Sequence, residues 1–466
     1  MSESVQAGRL LWREREENNI FRASNSWQPL VDGTVRDRII EVALCAGERM
    51  HDPTRVNEIA ELSLTQTTIP TQWSAPSLAS GFAGIALMQG YVAACFPGQG
   101  WDRQAQQSLS IAAAGTQQMA FMGPSMYGGT AGMGMVLHTL SNGGKRYQKT
   151  ITNLHQNLCE QVLEQPWLPT VTEGGMADHN YDVISGASGV LAYLLMAEQE
   201  DEQTLKAIEF ILAYLTWLTE PAQTLGQERW YIPPEHLMPQ TRDGFPEGYF
   251  NCGLAHGIPG PLAAMALAWK AGYRYPGLRE AIHYLSTWLL EHQVKEPWGM
   301  GWPDAVPLQA SSTAKDWRAL NGTRTAWCYG TPGVARSLWL AGQALEDDNL
   351  CQEAVTAIES VLRRPVELRQ INSPTLCHGV AGLLQICLRF AHESESTIVR
   401  EHIPLLAKQL LDAFNPDYLL GFRDLEREYV PIDQPAWLTG VPGVVMTLLA
   451  TATSVTPEWD RIMLIS

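Results

Sequence analysis

Charge is scarce in this sequence of 466 residues: Asp, Glu, Lys and Arg make up 17% of it, and 32 basic residues face 49 acidic ones. The formal net charge of -17 repels phosphate, and no local basic cluster offsets it, so no nucleic-acid partner is expected. Cysteine is also sparse. Cys45, Cys95, Cys159, Cys252, Cys328, Cys351, Cys377 and Cys387 are too scattered for a disulfide framework, which points to reduced thiols and leaves a thiolate metal site open. Residues 1–30 carry Arg9, Arg13, Glu14, Arg15, Glu16 and Glu17 without a continuous apolar region, so no secretory signal is read and cytoplasmic residence is the expectation. Two uncharged stretches, Ser77 to Phe96 and Leu109 to Leu140, are long enough to cross a bilayer. Both are rich in Gly, Ser or Gln and lack a basic flank, so they read as buried helices, and no transmembrane segment is expected. A hydrophobic content of 45% is ample for the core such helices need.

What the chain does have is a repeat. A Gly, two residues and a second Gly, followed by an apolar helical pattern, recur at Gly81–Gly84, Gly129–Gly132, Gly186–Gly189, Gly257–Gly260, Gly330–Gly333, Gly379–Gly382 and Gly440–Gly443. One quartet would carry no information; seven imply a repeated supersecondary unit with loops of varying length. Val190, Leu191, Leu194 and Leu195 follow one motif at the spacing of a helical face, and Leu205, Ile208, Ile211, Leu212, Leu215 and Leu218 trace a further amphipathic helix. Each unit therefore reads as an outer helix, a glycine loop and an inner helix. Pro259, Pro332 and Pro442 suit the first turn of such helices. Periodicity alone admits an open superhelix or a closed toroid, and the long uncharged inner helices favour closure. No linker divides the chain, so residues 1–466 are read as one all-α domain, with 1–77 supplying N-terminal and outer-helix elements and 78–466 the seven glycine-motif units. The segments Leu225 to Glu247 and Glu296 to Asn321 read as extended loops suited to walling a peptide cleft.

Aligning the units on their first Gly brings the candidate chemistry together. Immediately before that Gly stand Ser80, Gly128, Ser185, His256, Tyr329, His378 and Thr439; two positions before it stand Ala255, Cys328 and Cys377 in the fourth to sixth units. Equivalent positions in a ring face the same end of its axis, so Cys328, Cys377 and His378 should converge. Two thiolates and one imidazole are competent zinc ligands and leave a fourth tetrahedral position open. Asp182, four residues before Gly186, and Arg324, six before Gly330, fall at the same rim with His256 and Tyr329, suggesting an acid–base and charge-stabilising shell.

The segments Asn251-Cys252-Gly253-Leu254-Ala255-His256-Gly257, Trp327-Cys328-Tyr329-Gly330-Thr331-Pro332-Gly333 and Leu376-Cys377-His378-Gly379-Val380-Ala381-Gly382 resemble the three signature blocks of the lanthionine synthetase C-like family. The resemblance implies a double-layered α/α toroid of seven inner and seven outer helices. It implies Zn2+ on Cys328, Cys377 and His378, with His256, Asp182, Arg324 and Tyr329 as active-site residues. Its bacterial cyclases join cysteine thiols to dehydroalanine or dehydrobutyrine in a dehydrated, leader-bearing precursor, with a separate dehydratase and an export transporter as partners in a complex that sits at the membrane periphery. Related members add glutathione to similar residues, and a non-catalytic zinc-stabilised peptide-binding scaffold is the reading from a different class. Cys252 departs from the family block. It reads as a packed thiol, although with His256 it has a spacing that offers metal ligands.

As chemistry, the resemblance makes Arg324, with Tyr329, the group that stabilises an enolate formed by thiolate addition. His256 then gives the α-carbon its proton, oriented by Asp182. The alternative lets His256 deprotonate the entering thiol, and the sequence does not choose between them.

Overall fold

The computed structural model describes residues 12–13, 27–66, 73–118, 121, 123–164, 175–197, 201–220, 228–308, 323–425 and 430–466. Residues 1–11 and 14–26 of the N-terminal part, and 225–227 and 309–321 of the two loops expected to wall a cleft, lie outside the described residues. In chain order the helices are α1 Gly33–Glu48, α2 Pro53–Thr65, α3 Phe82–Cys95, α4 Trp101–Gly115, α5 Thr130–Leu140, α6 Gln148–Glu164, α7 Ala187–Met196, α8 Glu202–Leu218 and the short α9 Pro239–Arg242. They continue with α10 Pro259–Lys270, α11 Leu278–Glu291, α12 Thr331–Leu345, α13 Asp348–Arg363, α14 Val380–Glu393, α15 Thr397–Ala413 and α16 Val441–Ala452. Among the described residues three two-stranded antiparallel ribbons accompany them: β1 Trp12–Arg13 with β3 Tyr273–Arg274, β2 Tyr249–Asn251 with β6 Ala305–Pro307, and β4 Val294–Glu296 with β5 Gly299–Gly301.

Each glycine motif opens an inner helix. The seven inner helices α3, α5, α7, α10, α12, α14 and α16 pack in that order, and α16 returns to α3, so the ring closes into the expected α/α toroid. Their apolar residues run round the whole helix: in α3 every residue from Phe82 to Gln89 is buried, the pattern of a helix covered on all sides. The outer helices bury one stripe only, as α13 does with Leu350, Ala354, Val355, Ile358 and Val361. The stretch from Leu109 to Leu140 is broken between α4 and α5, and no described helix is long and apolar enough to cross a membrane.

Chain order and packing order differ. The sequence suggests an outer helix leading into each inner one, yet among the outer helices each inner helix from α3 to α14 packs chiefly on the one that follows it. The last inner helix, α16, is covered by α1 from the other end of the chain. Trp27 Nε1 donates to the Ala450 carbonyl (2.8 Å), Leu30 N to Thr451 (3.0 Å) and Arg36 Nε to Ala452 (2.8 Å), which ties this closure along the end of α16.

The glycine loops are stitched to one another by backbone hydrogen bonds. Ala79 N donates to the Tyr127 carbonyl (3.1 Å), Tyr127 N to Ile184 (3.2 Å), Val183 N to Ala255 (3.1 Å), Ala255 N to Cys328 (3.2 Å), Cys328 N to Cys377 (3.1 Å), Cys377 N to Leu438 (3.0 Å) and Trp437 N to Ala79 (2.9 Å). The circuit is closed, and every acceptor stands two positions before the first Gly of its motif. Residues 457–465 occupy the space the inner helices enclose. Trp459 and Ile462 to Ile465 are buried there, and their backbone accepts from Tyr127 Oη, Trp327 Nε1 and Arg336 Nε on separate units.

The motif glycines are required by close approach. A Cβ on the second Gly would meet the carbonyl oxygen six residues upstream, at 1.9 Å for Gly132 on Met126 and 2.0 Å for Gly382 on Leu376. Gly132→Ala should therefore lower stability by about 2 kcal/mol through forced displacement of backbone. A control, Gly244→Ala, whose Cβ would meet only the Thr241 oxygen at 3.5 Å, should shift the thermal midpoint by less than a third as much; equal shifts would refute the steric account.

Candidate active site

The loops that open α10, α12 and α14 carry His256, Cys328 with Tyr329, and Cys377 with His378. Because Cys328 N donates to the Cys377 carbonyl, the two cysteines are neighbours in space despite their separation in sequence. The Sγ atoms of Cys328 and Cys377 and a ring nitrogen of His378 all lie within 4.8 Å of one another. Tetrahedral zinc with bonds of about 2.3 Å to sulfur and 2.0 Å to nitrogen would separate its ligand atoms by roughly 3.5–3.8 Å, so a small contraction suffices to hold an ion.

The electrostatics of the trio suit a cation. A hydrogen bond from Cys377 holds the Cys328 thiol well below its ordinary range, and that of Cys377 is pushed up in turn. Arg324 adds positive potential to both sulfurs. Burial disfavours a charged His378, but hydrogen bonds to Asp424 and Cys328 outweigh it and bring the imidazole to about 9. Without an ion the trio thus holds protons that a metal would displace.

His378 Nε2 faces Asp424 Oδ1 at 3.4 Å, leaving Nδ1 as the nitrogen available to a metal. Asp424 is buried, accepts from Ser373 Oγ (2.8 Å), and is held by backbone bonds in both directions with Ile432 (2.8 and 2.9 Å). A carboxylate behind the ligand histidine fixes ring orientation and raises its basicity. Asp424 has no place in the glycine-motif register and escapes a reading based on it.

His256 Nδ1 pairs with Asp182 Oδ2 at 2.7 Å, the carboxylate fully buried and the His256 side chain 37% exposed. Asp182 Oδ1 accepts from Ser185 N and Gly186 N, both at 2.7 Å, so the loop that opens α7 grips one oxygen and presents the other. Burial opposes protonation of His256, but the Asp182 bond and the charges of Asp182, Asp178 and Cys328 raise its pKa above the ordinary histidine value. The Tyr329 ring lies 6.3 Å from the His256 ring and follows Cys328 directly in the chain. Its phenol is pushed up by burial and stays neutral.

The sequence-predicted residues thus form two adjoining groups, Cys328, Cys377, His378 and Arg324 on one side and His256, Asp182 and Tyr329 on the other. Cys252 joins neither. It is fully buried, its Sγ directed to the Phe250 carbonyl at 3.7 Å, and burial pushes its thiol strongly up.

The model of the lanthionine synthetase C-like proteins matches residues 72–464. The chain belongs to that family. The nisin biosynthesis protein NisC of Lactococcus lactis subsp. lactis is 25% identical over 373 residues, spanning 80% of this chain and 84% of its own. A solved structure of a nisin cyclase superposes with a TM-score of 0.72 at 24% identity, over 89% of this chain and 97% of that one, and agrees with the toroidal fold of the family.

Among family-block residues, Cys252 and its neighbours can be sorted by metal content. Cys252→Ala should leave zinc uptake unchanged and reduce stability by about 1 kcal/mol through a small cavity; parallel loss of metal would move the ligand role to it. Asp424→Asn should bind titrated zinc roughly 10–100-fold more weakly, measured by competition with a chromophoric chelator, while the fold is retained. Unchanged affinity would remove Asp424 from the metal centre.

Proposed function

We propose that the protein is a zinc-dependent lanthipeptide cyclase, which adds cysteine thiols of a dehydrated precursor peptide to dehydroalanine or dehydrobutyrine. The observation that carries this reading is a sulfur-rich trio that offers three ligand atoms to a metal beside a buried Asp182 paired with a partly exposed His256. Its relatives include a nisin biosynthesis protein and a nisin cyclase, which supports a peptide substrate prepared by a separate dehydratase. Zinc at Cys328, Cys377 and His378 would lower the pKa of an entering cysteine thiol and so supply a thiolate near neutral pH.

The remaining work falls to the chain's own groups. As the C–S bond forms at the β-carbon, the C=C pair shifts between the α-carbon and the carbonyl carbon, and the carbonyl π pair moves onto oxygen to give an enolate. Arg324, whose charge already bears on both cysteines, is the fixed cation for that oxygen, and Tyr329 is a neutral donor beside it. The α-carbon then takes a proton. His256, partly exposed and held on Asp182 through Nδ1, carries one on Nε2 toward the cleft. Its raised pKa keeps it a proton donor near neutrality, and Asp182 supplies most of that rise against burial.

Intramolecular closure leaves peptide mass unchanged, so ring formation is followed by alkylating residual thiols before mass measurement. Cys328→Ala should lose zinc and closure together. His256→Asn should retain zinc and peptide binding yet slow closure by roughly 10²–10⁴-fold. Since the acid form is the active one, the rate should fall as pH rises through the raised His256 pKa, and Asp182→Asn should move that limb to lower pH. Closure at the wild-type rate by a zinc-loaded His256 variant would refute the assignment. Transfer of added glutathione in preference to the peptide's own thiol would convert the reading to free-thiol addition.

A further inference from the structure

Beside the two groups lies Asn251, at the end of β2 and fully buried. Its Oδ1 accepts from Gly253 N at 3.0 Å, a backbone donor that settles which end of the amide is oxygen. The Nδ2 group must therefore face the opposite way. It reaches Tyr329 Oη at 3.3 Å and Asp178 Oδ2 at 3.4 Å, and the Tyr249 hydroxyl also lies within its hydrogen-bonding reach. An amide nitrogen has no lone pair to accept with, so the Tyr329 oxygen is the acceptor in that contact. Among the described residues Asn251 is the hydrogen-bond partner of the Tyr329 hydroxyl. The phenol's own proton is consequently turned away from Asn251.

Space around Tyr329 is arranged for this. Gly253, the residue that orients the Asn251 amide, also lies flat against the phenol: a Cβ there would stand 2.5 Å from Tyr329 Cδ1 and 2.4 Å from the Cys328 carbonyl oxygen. The antiparallel pairing of Asn251 with Ala305 in the β2–β6 ribbon fixes the strand end from the other side. Asp178, on the turn Asp178–Asn180, is a further acceptor for Nδ2 and adds negative charge near His256.

We infer that Asn251 is a positioning residue that makes Tyr329 an obligate donor, with its hydroxyl proton directed at the developing enolate oxygen of the substrate. The kinetic part rests on the cyclase reading; the hydrogen-bond direction does not. With Asn251 donating, no rotamer of the hydroxyl satisfies itself on the protein at that contact, and the donor is available without reorganisation when charge builds on the substrate.

Two measurements test this. With ring-13C-labelled tyrosine, the infrared difference between wild type and Tyr329→Phe isolates the Tyr329 phenol C–O stretch, which lies lower for a phenol that accepts than for one that only donates. Wild type should show the lower band, and Asn251→Asp, which places an acceptor against the phenol, should move it up. A donor-only band in wild type overturns the inference even if no Asn251 variant folds.

The second measurement uses a synthetic peptide bearing one cysteine and one dehydroalanine. Tyr329→Phe should lower kcat roughly 10²-fold, and Asn251→Asp should lower it to about the same level with KM changed less than about two-fold. The double variant should be no slower than Tyr329→Phe alone, because both remove one donor; multiplying effects would overturn the inference. If wild type leaves the peptide's thiol untouched while the infrared result holds, the direction of the bond stands and the cyclase reading falls.

Discussion

The closed circuit of backbone hydrogen bonds through the seven glycine loops is the constraint on which everything else depends. Each loop gives its N–H to the carbonyl of the next, and the seventh gives to the first, so no unit has an edge left over at this end of the toroid. A buried backbone group without a partner costs about 1–3 kcal/mol, so the loops satisfy one another or the inner helices separate. The glycines follow from that demand. Where a loop must fold back so tightly that a Cβ on Gly330 would stand 1.8 Å from the Arg324 carbonyl oxygen, at φ of +97°, no other residue serves.

The backbone atoms of Cys328 and Cys377 belong to the circuit, and their side chains come together with His378 in a group that could hold a metal ion. The circuit also makes rim positions rigid relative to one another, although they come from loops. A metal centre assembled on separate loops would otherwise lose the geometric precision that ligand sets require. Residues 457–465 reinforce it from within: the indole of Trp327, next to Cys328, donates to the Met463 carbonyl at 3.0 Å. Asp182 extends the same logic to the acid–base side, where two backbone N–H groups of its own loop hold one carboxylate oxygen so that the other meets His256.

The sequence disclosed the ring because the Gly-x-x-Gly unit recurs in fixed register with residues that share an environment, and Cys328, Cys377 and His378 were legible through that register. The register held more than the two positions before each glycine. Six positions before the first Gly stand Asn251, Arg324 and Ser373 in the fourth, fifth and sixth units, and their carbonyls all pack against that glycine. Reading that column would have found Asn251 and Ser373 along with Arg324. Asp424 and Asp178 belong to no column: each sits in an irregular stretch of its own, and only the folded chain brings them behind His378 and beside His256. Coverage of α16 by α1 was equally hidden, since an amphipathic stripe says that a face is buried and not against which of seven equivalent helices.

The arrangement of charge explains why two adjoining groups can coexist without neutralising each other. On one side the acceptors are sulfurs under the influence of Arg324 and His378; on the other they are the carboxylates of Asp182 and Asp178 around His256. Thiolate and imidazolium at close range would transfer a proton from one to the other if nothing separated them. Here Asp182 holds the His256 proton system through Nδ1 at 2.7 Å, and Asp424 stands behind His378, so each imidazole is assigned its own carboxylate. Tyr329, neutral and hydrogen-bonded by Asn251, stands on the Cys328 loop beside the His256 ring and adds a donor without adding a charge. On the proposed cyclase reading, an anionic nucleophile and a protonated acid would be kept at one rim, at one pH, because these partners decide where each proton resides.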